Sequence, residues 1–495
     1  MTVLNVLLVL CSIQSFANGM GFRGFTYRGL EEPKPIGPYK DQVIEGWITQ
    51  PLDHFNPREN RTWSMRYYEN SALLRANGPI LITIGGEWTI STGFLQGGLM
   101  YEIASVHGGM MYYTEHRFYG KSRPTKDTSA SNLRYLSVDQ ALADLANFIE
   151  TKKKEKNLEN SPVIVFGGSY AGNMATWARL KYPHLIQGAL ASSAPIYAKA
   201  DFYEYYEVVT RSLGRHSAQC VADVKTAFES VEELLAAQGG PEKLKVYFDL
   251  CNVPDVKSPS DLGSLMNSLA EVFAEIVQYD KVENGRTKIA ALCAEMTATH
   301  LGSPLQRLAR VIANSDPGSA CFDMSYKNVI KKYRDISWDS PAAASAMRQW
   351  YHQTCTEYGY YQTTSSDKSI FGTLFPLSYF TDMCIDLYGD YYNEKLLDSR
   401  VKRTNMMYGG QRPDLTNVIF TNGDIDPWHA LSVLEDLNAY APAILINGSS
   451  HCRDLYSDAD TDVEDLKKAR AKVRSIIGKW LSSVKEVLVR NKDDE

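Results

Sequence analysis

The stretch PVIVFGGSYAG, residues 162–172, decides the fold predicted for this chain. Its first half is a continuous apolar run, which suits a strand that is covered on both faces. Ser169 follows between small residues, and a helix is predicted from Tyr170. This is the context of a nucleophile elbow, a turn so tight that it projects the Ser hydroxyl above the sheet. Ala171 stands where the usual G-x-S-x-G pattern has Gly, and Ala is small enough to fit. The alternative to a nucleophile elbow is a Gly-rich turn in which the Ser is incidental.

Further strands and helices are predicted on both sides of this stretch. Apolar or alternating runs predict strands at 43–49, 62–68, 80–84, 110–114, 187–191, 417–421 and 443–446, and apolar periodicity predicts helices at 137–152 and from Glu464. Such alternation indicates a mostly parallel sheet. Residues 199–375 break it with helical patterns at 221–237, 262–278, 288–297 and 341–350. We therefore predict an α/β-hydrolase core, residues 18–198 and 376–495, with a helical cap inserted at 199–375.

Composition and the N-terminus indicate a secretory route. The chain of 495 residues has a net charge of −6 and no basic stripe, so no nucleic-acid partner is expected. The run Lys152–Lys154 is interpreted as a solvated helix end. Residues 1–17 read as a signal peptide cut after Ala17, with a buried N-terminal strand as the alternative. No later segment is apolar enough to span a membrane, and the predicted location is secreted or endosomal/lysosomal.

The cysteines agree with that route. Of eight Cys, Cys11 falls in the predicted signal peptide and Cys452 stands alone near the C-terminus. The other six cluster within the middle of the chain: Cys220, Cys251, Cys293, Cys321, Cys355 and Cys384. In an oxidising compartment such a cluster suggests disulfides, whose pairing the residues alone leave open. No CxxC pair supports a metal site, and the sequons at Asn60 and Asn447 suggest N-glycosylation.

A serine nucleophile needs a base and an acid that orients the base. In this fold they follow in the order Ser, acid, His. Asp426 and His451 each follow a predicted strand, so both fall at the edge of the sheet where α/β folds place their sites. Asp424 and His429 are the rivals; Asp424 is expected to cap its loop, and His429 to enter a helix.

Two backbone amides are expected to form an oxyanion hole. One is the amide of Tyr170, directly after the nucleophile, and the other belongs to Gly86 or Glu87, after the strand at 80–84. A plain tight turn is the alternative interpretation of the second segment. Glu87 is also a candidate anchor for a substrate amino group, unless it is a structural partner of Arg117 or of a backbone amide.

Several motifs resemble one serine peptidase family, that of prolylcarboxypeptidase, dipeptidyl-peptidase II and thymus-specific serine protease. They are QPLDHF at 50–55, TEHRFYGKS at 114–122, the elbow, Asp426-Pro427-Trp428, and His451 with Asp454-Leu455. Lys121 replaces an acid of the second motif. Residues 169–174 and 422–429 are most similar to the thymus-specific branch. The resemblance implies an α/β-hydrolase core with a helical cap, peptidase activity at or beside proline, and a free Cys452. It also implies the disulfides Cys220–Cys293, Cys251–Cys321 and Cys355–Cys384.

The predicted function is that of a serine exopeptidase acting on short peptides. Ser169 attacks the scissile carbonyl, His451 takes the proton, and Asp426 orients the imidazole, so that an acyl-enzyme forms. Glu87 and Trp428 are the candidate substrate contacts, and no cofactor or metal is predicted. The alternatives are a carboxylesterase or lipase on the same fold and an inactive secreted binding protein. A homodimer is among the oligomeric states that the sequence leaves open.

Overall fold

The computed structural model describes residues 30–37, 42–315 and 320–493, with side chains described as far as residue 483. The predicted signal peptide, residues 1–17, and Cys11 lie outside the described residues. Within the described part of the chain, no helix combines the length and the apolar character needed to cross a bilayer.

An eight-stranded sheet forms the centre of the molecule. The strands, in chain order and with four short ones outside this sheet included, are β1 (Ile44–Pro51), β2 (Thr62–Asn70), β3 (Ile80–Ile84), β4 (Met110–Thr114), β5 (Val163–Gly168), β6 (Gly188–Ser192), β7 (Lys199–Asp201), β8 (Val282–Glu283), β9 (Arg286–Thr287), β10 (Gly359–Tyr361), β11 (Val418–Gly423) and β12 (Ala443–Ile446). The order in the sheet is β1-β2-β4-β3-β5-β6-β11-β12. Strand β2 is antiparallel to both of its neighbours, β1 and β4, and the other neighbouring pairs in this sheet are parallel. This topology is the α/β-hydrolase fold, as predicted.

Helices cover both faces of the sheet. Every residue of β3, β4 and β6 is buried, as expected for parallel strands with a helical layer on each side. The helices are α1 (Gly98–His107), α2 (Ala130–Leu133), α3 (Val138–Glu155), α4 (Tyr170–Lys181), α5 (Glu204–His216), α6 (Ala218–Ala236), α7 (Gly240–Tyr247), α8 (Pro259–Gln278), α9 (Lys288–Met296), α10 (Pro304–Ser315), α11 (Tyr326–Tyr333), α12 (Pro341–Ala344), α13 (Met347–Gln353), α14 (Leu377–Tyr388), α15 (Glu394–Tyr408) and α16 (Glu464–Asp493). Helix α3 packs against α4, and α1 against α16.

Helices α5–α15 lie between the sheet strands β6 and β11. Of these, α5–α13 fall within the predicted cap, residues 199–375, and α14 and α15 follow it. The helices predicted at 221–237, 262–278 and 288–297 are confirmed as α6, α8 and α9. The helix predicted at 341–350 is instead two helices, α12 and α13, because Ala346 adopts a left-handed backbone with φ 62°.

Three disulfides have the pairing that the resemblance implies: Cys220–Cys293, Cys251–Cys321 and Cys355–Cys384. Cys452 is free and buried. The bond between Cys355 and Cys384 crosses the predicted cap boundary at residue 375. It joins the segment after α13 to α14, so residues on the two sides of that predicted boundary are covalently linked.

The helix end at Lys152–Lys154 is not wholly solvated, and the prediction is wrong for its first lysine. The Lys152 side chain is buried, and its Nζ donates to the Tyr67 hydroxyl of β2 at 2.8 Å. The same Nζ lies 2.6 Å from Glu155 Oε2. The aliphatic stem is therefore packed under the helix while the ammonium reaches two polar partners.

Candidate active site

Ser169 lies in a strained turn between β5 and α4. Its backbone has φ 59° and ψ −132°, a conformation that a residue with a Cβ adopts only under constraint, at a cost of about 1–3 kcal/mol. The turn is tight enough that only glycine fits at residue 167, where a Cβ would lie 1.9 Å from the Ala171 carbonyl oxygen. The Ser169 amide also donates to the Ser192 carbonyl of β6 at 2.9 Å. This is the geometry of a nucleophile elbow.

Asp426 and His451 meet through a hydrogen bond. Asp426 follows β11 and His451 follows β12, and the His451 Nδ1 donates to the Asp426 Oδ2 at 2.8 Å. The other oxygen, Oδ1, accepts from the Trp428 amide at 3.1 Å and so caps the short 3-10 helix Pro427–Leu431. Both carboxylate oxygens are therefore held, and the imidazole tautomer is fixed with its proton on Nδ1.

The loop that carries His451 packs against the elbow. The next residue, Cys452, donates its amide to the Ser193 hydroxyl at 2.9 Å. A Cβ on Gly168 would lie only 3.0 Å from the Cys452 Sγ. The neighbours of Ser169 and His451 are thus in contact. Among the described residues, neither the Ser169 Oγ nor the His451 Nε2 has a hydrogen-bond partner, and both atoms are buried.

The environment of His451 favours the imidazolium. Burial by itself lowers the pKa of His451, but the Asp426 carboxylate 2.8 Å away outweighs it, and the net pKa lies well above the usual value. A base of this kind accepts a proton readily and must be neutral to do so. Activity that depends on His451 as a base is therefore lost on acidification.

The two rivals have other partners. Asp424 accepts from the Gly448 amide at 2.8 Å and from Arg215 at 2.6 Å, which confirms that it ties down its loop. His429 lies in the 3-10 helix after Asp426, with its Nε2 3.1 Å from an Arg211 nitrogen. Burial is the largest cause of the lowered pKa of His429.

Gly86 and Glu87 lie in the loop after β3, and the Glu87 side chain is buried. Burial raises its pKa to about 8, although its own backbone amide and the nearby His451 oppose the rise. One carboxyl oxygen, Oε2, has no hydrogen-bond partner among the described residues. The expected alternative partner, Arg117, instead forms a two-pronged ion pair with Asp144 of α3, at 2.7 and 2.8 Å. Arg117 is therefore not the partner of Glu87, whereas the expected bond to a backbone amide is present, to its own N–H. Glu87 brings a neutral buried acid near His451.

Tyr170 and Trp428 are both fully buried. Tyr170 is the first residue of α4, where backbone amides have no acceptor within the helix, so its predicted oxyanion role suits its position. The Trp428 indole packs against Phe202, Tyr205 and Tyr360. Its contact with substrate stays a prediction; what the structure shows is a residue that holds Asp426 through its amide.

Sequence reasoning missed two groups of residues around the site. The Tyr170 hydroxyl lies within 3.2 Å of His116, Gln353 and Tyr358, so that the elbow helix is bonded to the segment around α13. Gln278, the last residue of α8, contacts the segment after β12 that carries His451, here called the histidine loop. His116 belongs to a motif that was visible in the sequence, whereas nothing local marks Gln278 or Gln353 as neighbours of the site.

The fold and the elbow serine together define a serine hydrolase of the α/β-hydrolase class. The family model described as Serine carboxypeptidase S28 matches residues 50–473. The chain belongs to this family of serine peptidases, as the sequence motifs predicted.

Three relatives show how the similarity is distributed. The chain is 35% identical to the thymus-specific serine protease of Mus musculus over 458 residues, which are 89% of this chain and 88% of the relative. It is 33% identical to the thymus-specific serine protease of Homo sapiens over 460 residues, 90% and 88%. It is 27% identical to the lysosomal Pro-X carboxypeptidase of Homo sapiens over 437 residues, 86% of each chain. The greater similarity to the thymus-specific proteins agrees with the motifs.

Proposed function

We propose that this chain is a serine exopeptidase that cleaves short peptides beside proline, with Ser169, Asp426 and His451 as its triad. The observation that carries the proposal is the buried hydrogen bond between Asp426 and His451, in a loop that packs against the strained elbow of Ser169. The proline preference is proposed from the family and from the printed name of the Pro-X carboxypeptidase relative.

The chemistry is acyl transfer in two halves. As the Ser169 Oγ bonds to the scissile carbonyl carbon, His451 Nε2 takes the hydroxyl proton, and then gives it to the leaving amine as the C–N bond breaks. Water next attacks the acyl-enzyme, with His451 again as the base, and releases the acid and Ser169. The amides of Tyr170 and of Gly86 or Glu87 stabilise the oxyanion in both halves.

Burial of the site supports action at chain ends. Ser169 is 2% exposed and His451 3% exposed. A folded protein or an internal segment of a long chain does not reach such a nucleophile, whereas a short or terminal peptide has the smallest cross-section to admit. The cap helices therefore favour exopeptidase action on small substrates.

Glu87 favours the amino end of the peptide. An acid near the proposed base His451 attracts a free ammonium and repels a carboxylate. Without substrate, burial keeps this acid neutral, since its pKa is about 8. An ammonium bound next to it would stabilise the ionised form and create a charge-assisted hydrogen bond to the oxygen that has no partner now.

A substrate panel tests this proposal through Glu87→Gln. The amide keeps the shape but loses the charge, so KM for short prolyl peptides with a free amine should rise about 10- to 100-fold. The same peptides with a blocked amine should change less than about threefold, because they never form the charged pair. Steady-state kinetics on both sets, with acyl esters beside them, provide the measurement. Equal effects on both peptide sets would exclude Glu87 as the anchor, and wild-type preference for esters would indicate a carboxylesterase.

The disulfides and the lysosomal relative suggest the location. We infer that the protein passes through the secretory pathway and acts in lysosomes or outside the cell. Asn60 and Asn447 are both exposed, as glycosylation requires. Both sites are proposed to carry N-linked glycans.

A further inference from the structure

The end of cap helix α8 meets the histidine loop directly. The Gln278 carbonyl accepts from the His451 amide at 3.0 Å, and the Asp280 carbonyl accepts from the Ser450 hydroxyl at 2.5 Å. Between them, the Tyr279 ring lies edge-on to the His451 imidazole, with 5.9 Å between ring centroids. The end of α8 therefore contacts His451 through its backbone and its ring, and contacts the neighbouring Ser450 through its hydroxyl.

The side chain of Gln278 is also linked to Asp426, through Trp428. Its side-chain oxygen Oε1 accepts from the Trp428 indole at 2.8 Å. The Trp428 amide in turn donates to Asp426 Oδ1, and Asp426 Oδ2 accepts from His451. With the bond from the His451 amide to the Gln278 carbonyl, these contacts close a ring of four buried residues. Gln278 is the only member of the ring that belongs to the cap.

We propose that Gln278 is a positioning residue for the acid–base pair, an inference that rests on the proposed triad. Its carbonyl fixes the backbone of His451, and its amide oxygen fixes Trp428, which orients the Asp426 carboxylate. A carboxylate held at both oxygens cannot rotate away from the imidazole. A displacement of about 1 Å in such a pair can cost about 100-fold in rate. The cap is thus part of the catalytic geometry, and a core without it would lack one side of the ring.

Gln278→Met tests the side-chain link. Met has a similar length and retains the backbone carbonyl, but it removes the strong acceptor for the Trp428 indole. We expect kcat on a prolyl peptide to fall about 10- to 100-fold, while KM changes less than about threefold. The acid limb of the kcat/KM profile should move to lower pH, because a loosened Asp426 raises the pKa of His451 less.

Tyr205→Phe is the matched control. The Tyr205 hydroxyl donates to the same Gln278 oxygen at 2.6 Å, but the ring that joins Asp426 to His451 does not pass through it. This variant should melt at a lower temperature, with kcat within about threefold of wild type and an unchanged pH profile. Trp428→Phe removes the indole donor, and so breaks the same hydrogen bond to Gln278 from the other partner. It should reproduce the loss of Gln278→Met, and the double variant should lose no more than either single variant, since both break one link.

The possible outcomes distinguish failure of the role proposed for Gln278 from failure of the proposed triad. Loss of activity in Ser169→Ala together with a full kcat and an unmoved pH profile in folded Gln278→Met would overturn the role of Gln278 alone. An equal loss of kcat in Tyr205→Phe would also overturn it, because general packing would then explain the effect. Activity that persists in Ser169→Ala would overturn both proposals. If Gln278→Met does not fold, Trp428→Phe measured against Tyr205→Phe decides the question by the same kcat and pH criteria.

Discussion

Asp426→Asn is expected to lower kcat about 10⁴-fold while the protein stays folded. The Trp428 amide donates to Oδ1, so the substituted amide must keep its oxygen on that side. Its NH₂ group then faces His451 Nδ1 and donates to it. The imidazole proton is forced to Nε2, the atom that must accept the proton of Ser169. The base is present and correctly placed, but in the wrong tautomer.

Steady-state kinetics on one prolyl peptide, with circular dichroism for folding, measure this effect. Asp424→Asn is the matched control, because Asp424 lies two residues earlier and bonds Arg215 and Gly448 rather than the imidazole. Its kcat should stay within about threefold of wild type. A larger loss in Asp424→Asn than in Asp426→Asn would mean that the wrong carboxylate has been assigned to the triad.

Glu87→Gln should stabilise the protein at high pH and not at low pH. The pKa of Glu87 is raised from 4.5 to about 8 in the folded protein, where burial disfavours the carboxylate. Below pH 4.5 both folded and unfolded chains are protonated, and the group imposes no cost. As pH rises from 4.5 towards 8 the unfolded chain ionises first, so the wild type loses free energy of unfolding. At about 1.4 kcal/mol per pH unit, the loss approaches about 4 kcal/mol.

Urea unfolding with the disulfides intact, at pH 4.5, 6 and 8, measures the difference between the two proteins. Taking that difference cancels the titration of the other groups. Glu435→Gln, at an exposed carboxyl, controls for the substitution itself. A gain that does not change with pH would show that the Glu87 carboxyl is ionised in the folded state. The predicted sign means that Glu87 imposes its smallest cost on stability in an acidic compartment.

Local patterns predicted the parts of this molecule that local physics determines. The strand at 163–168 and the elbow at Ser169 follow from an apolar run, small neighbours and a helix start, all within a dozen residues. The hydrogen bond between Asp426 and His451 followed from chain order, because strand ends in a parallel sheet gather at one edge. The disulfide pairing came from family resemblance.

Contacts between segments that are far apart in the chain could not be predicted from the sequence. Gln278 ends an amphipathic helix, and its bonds to Trp428 and His451 depend on how α8 packs against the segments that follow β11 and β12. Lys152 looked solvated because its neighbours are charged, yet it is buried and its ammonium donates to the hydroxyl of Tyr67, 85 residues earlier in the chain. Arg117 looked like a partner for Glu87 and bonds Asp144 instead.

Labelling with a fluorophosphonate probe tests the central claim most directly. The wild type and Ser169→Ala would be expressed through the secretory pathway, treated with the probe and weighed intact by mass spectrometry. An activated Ser169 predicts one label on the wild type and none on the variant. A label that persists on Ser169→Ala would mean that another serine is the nucleophile, and an unlabelled, well-folded wild type would contradict the proposed triad.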